Sequence, residues 1–399
     1  MEVRPGYKQT EIGILPKEWE VKKLREFATI ATGSTPPTTD ASNYGDEFLF
    51  VSPVDLGETK HVTRTEKKLS KKGFSLSRRF PKNSVLFVCI GSTIGKCGVA
   101  SIELTSNQQI NAVLPAPAFS SDFLYYALCA AAPRIKSLAG EQAVPLINKS
   151  QFSETLVTLP TLPEQRAIAT ALSDVDALLG ALDRLVAKKR DLKQAAMQQL
   201  LTAQTRLPGF SGEWEVAKFG EIAAIRNVKI VASATPAGTP CVELDGLSQG
   251  TGQLLGTVEA SGASSKYAFK SGDILFGRLR AYLRKYWLAT FDGICSTEIW
   301  PLIPRDERLR SAFLHLIVQT EEFVEAAGVA YGTHMPRSDW SVLRNVQIQL
   351  PSPLEQTAIA AVLADMDAEI AALEARRAKT RDLKQAMMQE LLTGRTRLV

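Results

Sequence analysis

The sequence predicts a mixed α/β (α+β) protein in which one unit is written twice, each unit a compact domain followed by a long helix. Three observations carry this. A helical stretch from Glu164 to about Leu201 returns from Glu355 to about Leu392 with well over half of its positions identical and a constant offset, since 355 − 164 and 382 − 191 both give 191. A repeat at fixed spacing decides the architecture before any single motif does. The segments ahead of the two helices share their opening, LPKEWEV with Trp19 and LPGFSGEWEV with Trp214. Between opening and helix, each copy shows short β-prone runs separated by turn signals.

Length and composition set the bounds. A chain of 399 residues with 45% hydrophobic content has room for two or three cores, and the repeat favours two. A net charge of +5 and a pI near 8.8 permit a polyanionic partner without arguing for one. Cys89, Cys97, Cys129, Cys241 and Cys295 are odd in number and never spaced C-x-x-C, which points away from a disulfide framework or a zinc site and towards a reducing compartment. No signal core and no apolar run of about 18 residues occurs, so the expectation is a cytoplasmic protein with no membrane partner.

The expected division is a first domain over 1–160, a first long helix over 161–204, a second domain over 205–352, and a second long helix with a C-terminal tail over 353–399. In the first domain Gly33-Ser34-Thr35-Pro36-Pro37 reads as a loop, Phe48 to Val51 and Ser84 to Ile90 as strands, and Phe123 to Ala132 as a helix stopped by Pro133. The second repeats the order, with strands at Ile274 to Phe276 and Ile299 to Ile303 and one helix from Leu309 to Ala327.

Each long helix opens with proline and carries Glu164 or Glu355 in its first turn, where a carboxylate suits the positive end of the helix dipole. Apolar residues then step by threes and fours: Ile168, Leu172, Val175, Leu179, Leu182 and Val186 in one copy, and Ile359, Leu363, Met366, Ile370 and Leu373 in the other. This is the narrow stripe of a coiled coil, and the obvious partner of each helix is its copy. The stripe turns polar at Lys189 and Thr380 and is expected to resume in shifted phase at Leu192, Ala196, Leu200 and Leu383, Met387, Leu391. At 1.5 Å per residue, each helix extends roughly 55 Å. Thr396-Arg397-Leu398 repeats Thr205-Arg206-Leu207, so the C-terminus is expected beside the N-terminal opening, closing a pseudo-two-fold arrangement.

Laying one domain on the other at an offset of 189 puts Phe80 on Phe269, Val85 on Ile274, Phe87 on Phe276 and Lys96 on Lys285. Core positions agree in size, whereas the loops between them do not: Gly91-Ser92-Thr93-Ile94-Gly95 faces Arg280-Ala281-Tyr282-Leu283-Arg284, and Asn107-Gln108-Gln109 faces Ser296-Thr297-Glu298. Two domains on one frame with different polar groups at one place look like two readers of different targets. Basic residues gather on the same stretches: Lys60, Arg64, Lys67, Lys68, Lys71, Lys72, Arg78, Arg79 and Lys82 in the first domain, and Lys266, Lys270, Arg278, Arg280, Arg284 and Lys285, interleaved with Tyr267, Tyr282, Tyr286 and Trp287, in the second. Such mixtures neutralise phosphates and offer arginine to guanine edges. The candidate DNA-binding set is Lys71, Lys72, Arg78, Arg79, Ser92, Thr93, Lys96, Asn107, Gln108, Gln109, Lys266, Arg278, Arg280, Tyr282, Arg284, Lys285, Thr297, His334 and Arg337. The plain alternative for either cluster is a solvated charged face over core aromatics.

Other chemistry is not supported. GSTIGKCG misses a nucleotide-binding P-loop, with three residues between its first glycines rather than four and Cys97 after Lys96 where Ser or Thr would hold magnesium; a loop touching DNA phosphates through backbone N–H groups fits better. His61, His315 and His334 are scattered, and no nucleophile elbow or methyltransferase motif occurs, so neither a catalytic nor a metal site is expected.

The sequence resembles a type I restriction-modification specificity subunit. The residues that carry the resemblance are LPTLPEQ at 159–165 and LPSPLEQ at 350–356, the Asp-Leu-Lys-Gln and Leu-Leu-Thr endings at Asp191 to Gln194, Leu200 to Thr202, Asp382 to Gln385 and Leu391 to Thr393, the GSTPP loop, and GSTIGK followed by SNQQIN. The resemblance implies two target-recognition domains separated by two antiparallel helices, each domain reading half of a split, asymmetric site in double-stranded DNA. It implies no catalysis by this chain and no cofactor bound to it. Its partners would be two modification subunits that methylate adenine with S-adenosylmethionine, and restriction subunits driven by ATP with magnesium. Helices of roughly 55 Å exceed one DNA turn of about 34–36 Å, consistent with an unread gap between half-sites. The alternatives are a recognition subunit for a fused methyltransferase-nuclease and a helical scaffold that no longer reads DNA; a steep salt dependence of binding separates the latter.

Overall fold

The computed structural model describes residues 5–140, 144–260, 263–331 and 336–398. The chain forms two compact units, Met1–Asp183 with Ala375–Val399, and Arg184–Glu374. The unit borders fall inside the long helices, Leu162–Leu201 and Pro353–Leu391, so each unit contains a domain and half of each helix.

In the first unit, a five-stranded sheet runs in the order Ile30–Thr32, Ile110–Val113, Val85–Val88, Cys97–Ala100, His61–Val62. A four-stranded sheet runs Lys67–Leu69, Tyr44–Val51, Leu104–Ser106, Arg79–Phe80. Strand alternation divides the core. Val85 and Phe87 pack with the helix Ser121–Lys136, while Leu86 and Val88 pack towards Leu49, Val51 and Leu104 of the other sheet. Buried on both sides, Val85–Val88 is a continuous apolar run.

The second unit repeats this plan: Ala223–Ile225, Ile299–Pro304, Ile274–Gly277, Tyr286–Leu288 in one sheet, and Lys229–Val231, Ser265–Phe269, Gly293–Ser296, Pro240–Val242, Val258–Glu259 in the other. Ile274 and Phe276 face one core and Leu275 the other.

Two helix expectations need correction. The helix Ser121–Lys136 runs through Pro133, because its buried Phe123, Leu124, Tyr126, Leu128 and Ile135 outweigh one missing backbone donor. The helix expected over Leu309 to Ala327 is two helices, Ser311–Ile317 and Glu321–Gly328. Thr320 caps the second by accepting the Phe323 N–H at 3.3 Å, and Gln319 donates to the His315 carbonyl at 2.7 Å, ending the first.

Within each unit the helix halves are antiparallel. In the first, Asp183 pairs with Arg377 at 3.0 Å and Asp176 with Lys384 at 2.6 Å. In the second, Lys189 pairs with Glu369 at 2.7 Å and Lys193 with Asp367 at 2.6 Å. Ile168, Leu172, Leu182, Ile359, Leu363 and Ile370 are buried, and Val175, Leu179, Met366 and Leu373 half-buried. Their partners extend the sequence reading: Ile168 and Leu172 share a core with Leu391 and Leu392 of the copy and with Trp19 and Phe123 of the domain, and Ile359 and Leu363 share one with Met197 and Leu200 of the copy and with Phe219 and Phe313. The helix ends close the open face of a domain as well as meeting each other.

The stripe resumes at the expected Ala196, Leu200, Met387 and Leu391 but without a change of phase: Leu192 is 46% and Leu383 55% exposed, and Lys193, Arg377, Thr380 and Lys384 fill the stripe positions between. Long cationic side chains lay their methylenes in the seam and their charges on the partner helix, which hides the period from a hydrophobicity count.

The two Glu-Gln pairs that begin the helices are buried in both units. Glu164 accepts the Trp19 indole N–H at 3.0 Å and is forked by Arg397, with Nη2 at 2.9 Å. Glu355 accepts the Trp214 indole at 3.1 Å and the Arg206 fork at 2.6 and 2.7 Å. Gln165 accepts the Ser120 N–H and donates to the Pro160 carbonyl, both at 2.9 Å; Gln356 accepts the Arg310 N–H at 2.8 Å and donates to the Arg308 and Pro351 carbonyls at 2.6 and 2.8 Å. The carboxylates stand in the first helical turn as expected, and they also clamp their helix to the opening segment and to the arginine of the Thr-Arg-Leu that follows the other helix. Arg397 also pairs with Glu18 at 3.0 Å, and the Tyr7 hydroxyl donates to the Gly394 carbonyl at 2.8 Å, placing the C-terminal tail against the N-terminal opening as the repeat implies.

Candidate nucleic-acid interface

The loops singled out by the offset occupy the same place in the two domains, and backbone bonds put them there. Gln109 and Glu298 each stand just before the strand that opens at Ile110 or Ile299. The Gln109 carbonyl accepts the Cys89 N–H at 2.8 Å, and the Glu298 carbonyl accepts the Arg278 N–H at 2.9 Å. In turn, the Cys89 carbonyl accepts from Ile147 at 2.9 Å and the Arg278 carbonyl from Ser338 at 2.8 Å. Cys89, Gln109 and Leu146 are thus the counterparts of Arg278, Glu298 and Arg337, the last of each trio flanking the same isolated bridge, Ile90 to Leu146 and Leu279 to Arg337.

The side chains differ. In the first domain Asn107 Nδ2 donates to Gln109 Oε1 at 2.9 Å, Asn107 Oδ1 accepts the Gln109 N–H at 3.1 Å, and Thr35 donates to Gln108 Oε1 at 2.6 Å. Asn107, Gln109 and Thr35, with Thr93, Tyr44 and Lys67, border a groove of about 920 Å³. In the second domain Arg337 grips Glu298 through Nε at 2.9 Å and Nη2 at 2.8 Å, and the Arg278 guanidinium lies 4.8 Å from the centre of the Trp300 ring. The Arg337 contact holds the Glu298 carboxyl below its usual range, with Arg278 adding to the effect, so it is an acceptor only. Half-buried Thr297 lies beside them, and His334 lies outside the described residues.

The paired five-residue loops are one turn with two sequences. Gly91 and Gly95 have φ of 94° and 101°; their counterparts Arg280 and Arg284 are left-handed at 53° and 50°. Within the stretch expected to touch phosphates through its backbone, Gly91, Ile94, Gly95 and Lys96 donate their N–H groups to the Pro145, Gly91, Val88 and Thr93 carbonyls, which narrows that expectation to the N–H groups of Ser92 and Thr93. Ser92 is exposed, and its carbonyl accepts from Lys136 at 3.5 Å.

Several basic candidates are committed within the fold. Lys96 is half-buried with Nζ 3.5 Å from the Pro53 carbonyl; Lys285, 16% exposed, donates to the Leu244 carbonyl at 2.8 Å; Lys266, 13% exposed, pairs with Glu243; Arg284 pairs with Glu321. Lys266 and Arg284 thus each have a carboxylate partner within their own domain, and Lys96 and Lys285 a backbone carbonyl. Lys60 is half-buried, paired with Asp122 at 2.7 Å and donating to Ser173 at 2.9 Å. Lys72 binds Asp40 at 2.7 Å, which draws the Asp40 carboxyl down to about 2, and Arg78 donates to the Thr32 carbonyl at 2.8 Å. Lys71, Arg79, Arg280 and Tyr282 are exposed, Arg79 stacking at 5.4 Å over Phe74. Sequence reasoning missed Leu146, Trp300 and Asn111, whose Nδ2 lies 3.1 Å from Cys89 Sγ; extending the offset by two residues past Gln109 would have paired Asn111 with Trp300.

No group of three metal-ligating side chains occurs among the described residues, and no described helix is long and apolar enough to cross a membrane.

The model of the type I restriction modification DNA specificity domain matches residues 16–186 and again 211–380. The chain belongs to that family. Its two copies of the domain coincide with the two copies of the fold. Among relatives, the MjaVIII specificity subunit of Methanocaldococcus jannaschii is 24% identical over 416 aligned residues, 96% of this chain and 94% of that protein. The MjaIX specificity subunit of the same organism is 31% identical over 179 residues, 43% of this chain and 41% of that protein. Among solved structures, the S subunit of the type I restriction-modification system of M. genitalium superposes with a TM-score of 0.60 at 16% identity, covering 98% of both chains. At that identity the likeness speaks for the fold, and the specificity-domain family now rests on sequence and architecture together.

Proposed function

We propose that this specificity subunit reads a bipartite, asymmetric target in double-stranded DNA, one half-site per domain, and docks two modification subunits and restriction subunits without catalysing a reaction itself. S-adenosylmethionine, ATP and magnesium belong to those partners in this reading, and the complex works in the cytoplasm. The observation that carries it is the pair of loops held by the same backbone bonds but furnished with neutral amides in one domain and an Arg-Glu-Arg cluster in the other. A repeated frame with unlike polar tips is what two readers of unlike sequences require, because phosphate contacts orient a protein and base edges specify it.

The test is to co-express the chain with its host's modification subunit and map N6-methyladenine on plasmid DNA at base resolution. A split, asymmetric motif methylated on each strand is expected. Absence of sequence-specific methylation from a soluble, associated complex would favour a helical scaffold, in which case DNA binding would also lack a steep salt slope.

A further inference from the structure

On the proposed recognition of DNA, the matched loops differ in the base that each can bind. Arg337 contacts Glu298 through Nε and Nη2, at 2.9 and 2.8 Å. A guanidinium held along that side keeps its end-on edge, the outer N–H of Nη2 and the Nη1 pair, pointing away from the carboxylate. Arg337 is exposed, and Arg278, lying over the Trp300 ring, adds its positive charge to the field at the same carboxylate. An outward fork braced by an ionised carboxylate matches the O6 and N7 acceptors of guanine in the major groove.

The first domain offers the complementary chemistry at the same point of the frame. Gln109 Oε1 already accepts from Asn107 at 2.9 Å, which orients the amide and leaves one oxygen lone pair and the NH2 group unspent. That combination suits the N6 donor and N7 acceptor of adenine. Leu146, in the place of Arg337, supplies no competing charge.

We infer that each domain reads one base pair of its half-site from this matched position, a guanine through Arg337 braced by Glu298 in the second domain and an adenine through Gln109 braced by Asn107 in the first. Glu298 and Asn107 are positioning residues.

The experiment uses the full chain in complex with its host's modification subunit, with methylation motifs mapped for wild type and variants. In Arg337→Leu, which copies Leu146, discrimination at a single G·C pair of the second half-site should fall roughly ten- to a hundredfold, with the first half unchanged. Glu298→Gln should weaken the same pair alone, and Gln109→Ala should relax a single A·T pair of the first half only. Arg337→Lys keeps the charge and loses the fork, so it should also relax the guanine and covers the event that the leucine variant does not fold. Unchanged motifs in all variants, or an even loss across every position of the second half-site, would overturn the assignment while leaving the specificity-subunit reading in place. A wild-type complex with no split motif would defeat that reading itself.

Discussion

At the start of each long helix the two units are nearly the same object, and at the tips of their sheets they are not. Glu164 and Glu355 each bind one tryptophan N–H and one arginine fork, but Trp19 is fully buried and Trp214 only half so. The turn at Gly91–Gly95 and that at Arg280–Arg284 share their path, although one uses glycine where the other forces arginine through positive φ. The comparison teaches where the repeat is constrained. Buried charges tolerate few substitutes because removal of one partner strands the other, whereas a loop held by backbone hydrogen bonds can exchange its side chains and keep its place.

The strongest way to break the likeness is to remove its buried carboxylates. Glu164→Ala should destabilise the first unit by about 3–5 kcal/mol, and Glu355→Ala the second by somewhat less, measured by denaturant unfolding of the full chain. Equal losses would mean that the burial of Trp19 adds nothing to the clamp. The second contrast is pH. Burial, aided by Lys193 and opposed by Asp367, pushes the His315 imidazole down from 6.5 to about 4. A base with a depressed folded pKa contributes stability above its unfolded value, and that contribution is lost as pH falls from about 6.5 towards 4, up to about 3 kcal/mol in the limit. Melting curves at pH 7 and 5 should show this slope, and His315→Gln should flatten it.

A third test sharpens the comparison of turns. Gly95→Ala should cost about 1–2 kcal/mol, since a Cβ there meets positive φ and stands 3.1 Å from the Ala132 methyl. Arg284→Gly relieves a left-handed residue while losing an exposed ion pair with Glu321, so its net change should stay within about 1 kcal/mol. The smallest effects belong to Leu192→Gln and Leu383→Gln, both outside the helix seam and expected to fall within about 0.5 kcal/mol, whereas Leu172→Ala should cost about 2–5 kcal/mol.

Read from sequence alone, this protein discloses its duplication, its long helices, the central strands Val85–Val88 and Ile274–Gly277, and the equivalence of Asn107-Gln108-Gln109 with Ser296-Thr297-Glu298, because periodicity and repeat offset are properties of order along the chain. Only the tertiary structure decided which charges are spent inside. Lys96, Lys266 and Lys285 look like their exposed neighbours until the carbonyls and carboxylates that bind them, tens of residues away, are brought near. The same holds for the helix seam, where Lys193 and Lys384 fill stripe positions that hydrophobicity assigns elsewhere, and for Glu164, whose arginine partner is 233 residues distant. Burial of a charge depends on a partner meeting it in space, and no local pattern in sequence records that meeting.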